Sequence, residues 1–114
     1  MKTKEKSVEY CENKFPETTK EFKNILNEMY VTFCKKQHDY GPSNISLGRD
    51  LSVAKNRKKS LQGLWFRSND KLSRVDNILE QNISAKNEPL EDSYLDLANY
   101  SVISLLVKKN IWGK

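Results

Sequence analysis

The chain has 114 residues, of which 31% are charged and 37% are hydrophobic, with 4 glycines and 3 prolines. This length suits one domain, and so few glycines and prolines argue against a turn-rich all-β fold. No stretch approaches the roughly 20 apolar residues of a membrane-spanning helix, and the charged N-terminus has no apolar core of a secretory signal. We therefore expect a single domain, 1–114, in the cytoplasm and without a membrane partner.

The first long helix is predicted from about residue 16 to residue 37. Before it, residues 1–14 are polar and are expected to be frayed or to form a short helix. Pro16 suits a first helical turn, and Gly41 with Pro42 is typical of a helix end. Apolar residues recur at helical spacing and predict one core-facing side. These residues are Phe22, Ile25, Leu26, Met29, Tyr30 and Phe33.

The second half of the chain predicts two further long helices. Residues 42–60 are expected to be mostly loop, with a short helix over 50–58 left open. A helical piece over 60–66 is predicted to precede a helix from about 68 to 83, newly capped at Ser68, Asn69 or Asp70. The last helix is expected from Pro89 to about Asn110, central and mostly buried. The predicted fold is all-α, a small helical bundle of three main helices plus short helical pieces.

Charge is arranged in two blocks along the sequence. Between Arg49 and Arg74 there are 8 basic and 2 acidic residues, whereas between Asp76 and Asp96 there are 6 acidic and 1 basic. Such blocks either neutralise each other across packed helices or form a site in which basic and acidic residues both contact a phosphate-bearing ligand.

The last helix contains a polar stripe on an otherwise apolar sequence. Asp92, Asp96 and Asn99 follow i, i+4, i+7 spacing and therefore share one side. Buried carboxylates are costly unless they are paired or bind a metal, so the stripe predicts a Mg²⁺ or polar-ligand site, with a solvated helix edge as the alternative. Lys71 and Arg74 share a face of the preceding helix, where they can hold a phosphate or form interhelical salt bridges with the stripe.

The further candidate functional residues lie in one loop segment and among the aromatic residues. Asp39 and Tyr40 precede a glycine turn, in a segment where functional residues are common. The sequence has no Walker-type loop, no G-x-G-x-x-G and no recognisable nucleophile with the single histidine. Five aromatic residues could stack on a base, although core packing is the more typical role for most of them. They are Tyr40, Trp65, Phe66, Tyr94 and Tyr100.

Three segments carry a resemblance to a known family: His38–Gly41, Asn69–Val75 and Glu91–Tyr100. Together, and in this order, they resemble the phage nucleotide-modification-associated domain of the first type, over about residues 20–107. The resemblance implies a phage protein linked to nucleotide metabolism or modified bases. The last helix also resembles that of MazG-like and dCTP pyrophosphatase-type all-α enzymes, which use E-x-x-E and E-x-x-D motifs to hold Mg²⁺. Here Ser93 stands at the Glu position counted back from Asp96.

The favoured hypothesis is a nucleotide-binding protein of phage origin. It would bind a precursor of modified DNA or sequester a host nucleotide immune signal, as a homo-oligomer. Phosphate would be held by Lys71 and Arg74, and Asp39 with Tyr40 would close the site. Ribose, base or one metal would be held by Asp92, Asp96 and Asn99.

Two other functions stay open. One is a Mg²⁺-dependent pyrophosphohydrolase of MazG-like type, with Asp92 and Asp96 as the metal ligands that activate water. The other is a nucleic-acid or protein-interaction bundle that uses the basic run Lys55–Lys59. A nucleic acid is the less expected partner.

Overall fold

The computed structural model describes residues 5–114, which form an all-α fold without strands, as predicted. The helices are α1 (Lys6–Lys14), α2 (Pro16–Tyr40), α3 (Ser43–Ser46), α4 (Ala54–Gln81) and α5 (Leu90–Lys108). The three long helices α2, α4 and α5 correspond to the three predicted main helices. None of the described helices is long and apolar enough to cross a membrane.

The chain divides into two compact units, Met1–Cys34 and Lys35–Lys114. In the first unit, the Lys23 ammonium lies 2.7 Å from a carboxylate oxygen of Glu12, so an ion pair connects α1 to α2. The second unit contains α3, α4, α5 and the last turns of α2. The prediction of a single domain remains a prediction.

The apolar face predicted for α2 is mostly exposed. Met29 is buried and Phe33 is half-buried, but four residues on the same side are exposed: Phe22, Ile25, Leu26 and Tyr30. For these four, the predicted core position is wrong. The physical reason lies in the first unit, where α1 has only 9 residues, none of them buried, and is too short to cover this side of α2.

The second unit has its core between α4 and α5, which pack extensively against each other, with α3 against α4. Its buried apolar residues are Ile45, Leu51, Leu64, Val75, Ile103, Val107 and Trp112. The Trp112 indole N–H donates to the Pro42 carbonyl over 3.0 Å and ties the C-terminus to the start of α3. Gly113 has a φ of +76°, and a Cβ there would lie 3.0 Å from that of Pro42. Only glycine suits both conditions.

Helix α4 is one continuous helix, which corrects the predicted pieces over 50–58, 60–66 and 68–83. Its start is held by Arg57, whose guanidinium donates to the carbonyls of Leu51 and Ser52. The predicted break near Ser68 is absent because buried Leu64 and Val75, on either side of it, face the same core. Tertiary packing therefore overrides the local capping preference. The helix ends at Asn82, which adopts a left-handed φ of 51°.

Three further expectations are corrected by the structure. Helix α2 continues to Tyr40, so that residues 38–40 are helical rather than loop. Helix α5 has buried and half-buried sides, but Tyr94, Val102 and Leu105 are exposed, so it is not buried all round. The core-packing role expected for most of the aromatic residues is wrong for four of them: Tyr40, Trp65, Phe66 and Tyr94 are exposed.

Candidate functional site

The polar stripe of α5 is centred on Asp96, whose carboxylate lies between lysines of two other helices. The Lys71 ammonium of α4 is 2.9 Å from Oδ2, and the Lys36 ammonium of α2 is 3.2 Å from Oδ1. The exposed fraction of the side chain is 17% for Asp96, 26% for Lys71 and 54% for Lys36. We call these three residues the ionic cluster. All of them belong to the second unit.

Helix periodicity explains why Lys71 meets α5. Lys71 follows Leu64 by seven residues and precedes Val75 by four, which places it on the buried side of α4. Asp96 follows the buried Ser93 by three residues on α5. The two charged residues therefore lie on the packed faces of both helices and contact each other at the edge of the core.

The pairing changes the proton affinity of both groups. Burial raises the pKa of the Asp96 carboxyl, but hydrogen bonds from Lys71 and Lys36 outweigh burial, and the pKa lies below its ordinary value. The hydrogen bond to Asp96 raises the pKa of Lys71 above its ordinary value, against the opposing effect of burial. Both shifts favour the ion pair between the Asp96 carboxylate and the Lys71 ammonium group at neutral pH.

Arg74 lies one turn further along α4 and holds the start of α5. Its Nη1 donates to the hydroxyl of Ser93 over 2.6 Å, and its Nη2 donates to the carbonyl of Glu88. Ser93 is completely buried, so Arg74 satisfies a hydroxyl that has no access to water. A guanidinium has five N–H donors, and these two contacts leave three for a ligand.

Asp92 and Asn99 flank Asp96 on α5, about one turn away on either side. Both are half-buried. Among the described residues, neither side chain has a hydrogen-bonding or ionic partner. The predicted stripe therefore exists as one paired carboxylate between an unpaired carboxylate and an unpaired amide.

Asp39 and Tyr40, predicted to close the site, are not brought into the ionic cluster. Asp39 Oδ1 lies 3.0 Å from His38 Nδ1 in an exposed pair, and the Tyr40 side chain is exposed. The residue of α2 that does reach α5 is Lys36, which begins the candidate segment around Asp39 and Tyr40 but for which no role was predicted. Lys36 lies within the predicted helix, but spacing along one helix does not indicate which residue of another helix it contacts.

The residues at this site do not fit a Mg²⁺ ion held by Asp92 and Asp96. Each carboxylate oxygen of Asp96 already accepts from an ammonium group. Within residues 5–114 there is no group of three or more His, Cys, Asp or Glu side chains placed to hold a metal ion. The geometry favours Asp96 as a counter-ion of lysines over Asp96 as a metal ligand.

The fold and the site define a small all-α protein in which lysines from two helices converge on a carboxylate of a third. The chain belongs to the family described as nucleotide modification associated domain 1, whose model matches residues 36–107. This match confirms the family resemblance, but it begins at 36 rather than at about 20. It covers most of the second unit and the whole ionic cluster. No curated protein and no solved structure matches the chain, and the likeness to MazG-like enzymes stays a prediction.

Proposed function

We propose that this protein binds a phosphate-bearing nucleotide at the ionic cluster. The observation that carries the proposal is the convergence of Lys36 and Lys71 on the single carboxylate of Asp96, which leaves the cluster with a surplus positive charge. A phosphate group can accept from the same ammonium groups, because both are partly accessible to solvent. The family description independently associates this part of the chain with nucleotide modification.

The groups beside the cluster suit the rest of a nucleotide. Asp92 offers a half-buried carboxylate that can accept from ribose hydroxyls, and Asn99 offers an amide that can both donate to and accept from a base. Arg74 has three free N–H donors for a second phosphate oxygen while it keeps its contacts to α5. Hydrogen-bond acceptors of α5 therefore lie on either side of the two ammonium groups of the ionic cluster. This arrangement suits a nucleotide, because its phosphate needs positive charge and its ribose and base carry hydrogen-bond donors.

The finer parts of the proposal concern origin, assembly and purpose. We propose a phage protein that either handles a precursor of modified DNA or sequesters a host nucleotide signal, with binding rather than hydrolysis as its activity. We also propose a homo-oligomer, because Phe22, Ile25, Leu26 and Tyr30 form an exposed apolar patch on α2. Asp39 and Tyr40 would then contribute only if ligand binding or assembly brings them to the site.

The test is binding followed by recovery of the ligand. The protein is titrated by calorimetry with nucleoside mono- and triphosphates and with cyclic nucleotides, with and without Mg²⁺. Bound material is then chromatographed before and after heat denaturation. We expect an intact nucleotide, released by denaturation and independent of Mg²⁺. A product that forms only with Mg²⁺ would instead support the pyrophosphohydrolase, and the absence of any nucleotide binding would overturn both functions.

A matched pair of variants locates the site. Lys36→Gln removes an ammonium of the cluster, whereas Lys35→Gln removes an exposed neighbour on the same turn that has no partner among the described residues. A hydrogen bond to a charged group contributes about 1.5–3 kcal/mol, so Lys36→Gln is expected to weaken binding about tenfold or more. Lys35→Gln is expected to bind as the wild type does. Equal affinities would place the ligand elsewhere.

A further inference from the structure

One exposed side of α4 carries a row of basic and aromatic residues that the ionic cluster does not use. Because α4 is unbroken, residues three, four and seven positions apart share one side of it. The exposed residues in this row are Lys55, Lys58, Lys59, Gln62, Trp65 and Phe66. We call this row the basic-aromatic face. It lies opposite the side of α4 that buries Ser60, Leu64 and Val75.

The positive charge of this face is not neutralised within the second unit. In the part of the chain that the structure describes, Lys55, Lys58 and Lys59 have no ionic or hydrogen-bonding partner. The sequence contains no Asp or Glu between Asp50 and Asp70. Like charges at i, i+3 and i+4 repel each other and destabilise a helix. Such an arrangement is relieved by an external anion.

The aromatic half of the face exposes two rings side by side. The exposed fraction is 62% for Trp65 and 64% for Phe66, and the ring centroids lie 5.1 Å apart with the planes at 81°. Seven residues separate each ring from Lys58 or Lys59, which corresponds to about 10 Å along the helix axis. A ligand that contacts both halves must therefore carry negative charge and planar apolar surfaces over that distance.

We infer that the basic-aromatic face binds single-stranded nucleic acid. The lysines would contact successive phosphates, and the rings of Trp65 and Phe66 would stack on unpaired bases. A duplex keeps its base faces inside the stack, so it can use the lysines but not the rings. In a two-fold symmetric dimer through this face, a second copy of this chain would bring the same positive charge, which does not complement it. This site is separate from the ionic cluster, which lies on the packed side of α4.

The first experiment measures fluorescence anisotropy of a labelled oligo(dT) of ~20 nucleotides, long enough for common single-strand sites. Affinity is measured at salt concentrations from about 50 to 200 mM. Each lysine that binds a phosphate of a single strand adds about 0.7 to the slope of log K against log salt. The triple variant Lys55→Gln, Lys58→Gln, Lys59→Gln is therefore expected to lower that slope by about 2.

A second triple variant provides a charge-matched control for the lysine substitutions. It replaces three exposed lysines outside the face, namely Lys86→Gln, Lys108→Gln and Lys109→Gln, and it is expected to keep the wild-type slope. Equal slopes for the two triple variants would overturn the proposal. Binding of duplex DNA or heparin as tight as that of oligo(dT) would also overturn it, because neither ligand can stack on the rings.

Stacking of bases on Trp65 is tested by separate measurements. Trp65→Ala is expected to weaken oligo(dT) binding about tenfold, the order of one base stack, whereas Trp65→Phe retains most of the affinity. Oligo(dT) should also quench the fluorescence of Trp65 but not that of Trp112, which is 8% exposed. The wild type is therefore quenched and Trp65→Phe is not. Circular dichroism of each variant verifies that the helices are intact.

Two results would contradict this part of the inference. One is an unchanged affinity of Trp65→Ala. The other is dissociation of an oligomer by Trp65→Ala in sedimentation analysis, which would assign the rings to a contact between copies. Lys71→Gln is expected to leave oligo(dT) binding unchanged while it reduces nucleotide binding, so the two proposals fail separately.

Discussion

The energetic role of Asp96 can be tested by Asp96→Asn, which keeps the shape of the side chain and removes its charge. The contact with the half-buried Lys71 is a hydrogen bond between charged groups, which contributes about 1.5–3 kcal/mol. The contact with the more exposed Lys36 is worth less than about 1 kcal/mol. An amide oxygen still accepts one of these bonds, so we expect a loss of about 2 kcal/mol in the free energy of unfolding.

Urea unfolding followed by circular dichroism measures this loss. With an m value of about 2 kcal/mol per molar urea, the midpoint is expected to fall by about 1 M at neutral pH. Asp39→Asn is the matched control, because that carboxylate is exposed and its partner among the described residues is its neighbour His38. The control is expected to unfold as the wild type does.

The ion pair between Asp96 and Lys71 also predicts how the free energy of unfolding depends on pH. The pKa of Asp96 is lowered in the folded state relative to about 3.9 in the unfolded chain, so its stabilisation is complete above that value and disappears as pH falls through the folded pKa. The pKa of Lys71 is raised, so its contribution is present below about 10.4 and disappears as pH rises through the folded pKa. The difference between wild type and Asp96→Asn should therefore vanish in acid. Equal stabilities at neutral pH, or a difference that persists in acid, would show that the ion pairs of Asp96 do not stabilise the fold.

Substitutions at three other places test the structure. Arg74→Met is expected to destabilise the protein by about 2 kcal/mol because it leaves the buried hydroxyl of Ser93 unpaired, and Ser93→Ala in the same chain should recover part of that loss in urea unfolding. Leu47→Gly is expected to raise the unfolding free energy by about 1 kcal/mol, because Leu47 is exposed and has a left-handed φ of 56°; no gain would contradict this. Leu26→Glu is expected to dissociate the proposed homo-oligomer in sedimentation analysis without loss of helicity, whereas an unchanged mass would argue against the α2 patch as the interface.

The fold class follows from local signals that the sequence contains in full. Apolar spacing, a proline at position 16 and another at position 89 indicate three long helices, and the structure confirms their number and the approximate limits of α2 and α5. The limits of α4 could not be predicted, because Ser68, Asn69 and Asp70 have the local preferences of a helix start. Whether the chain breaks there depends on Leu64 and Val75, which face a common core only after α4 and α5 have packed.

The candidate site was predicted in part for the same reason. The spacing of Asp92, Asp96 and Asn99 on one helix is a property of the sequence alone, and so is the pairing of Lys71 with Arg74 on another. The residues that these side chains contact in other helices are not specified by that spacing. The structure selects Lys71 for Asp96, directs Arg74 to Ser93, and adds Lys36 from α2.

Local spacing along the chain is sufficient to predict an all-α fold, a polar stripe on α5 and a block of positive charge. These features depend on residues a few positions apart, whose geometry a helix defines. Which apolar face is covered, and which charged residues contact each other, depends on the packing of the helices. It exposes most of the apolar face of α2, and it turns Trp65 and Phe66 outward in line with Lys58 and Lys59. The reason is that burial and ion pairing depend on contacts between distant segments, which no local spacing specifies.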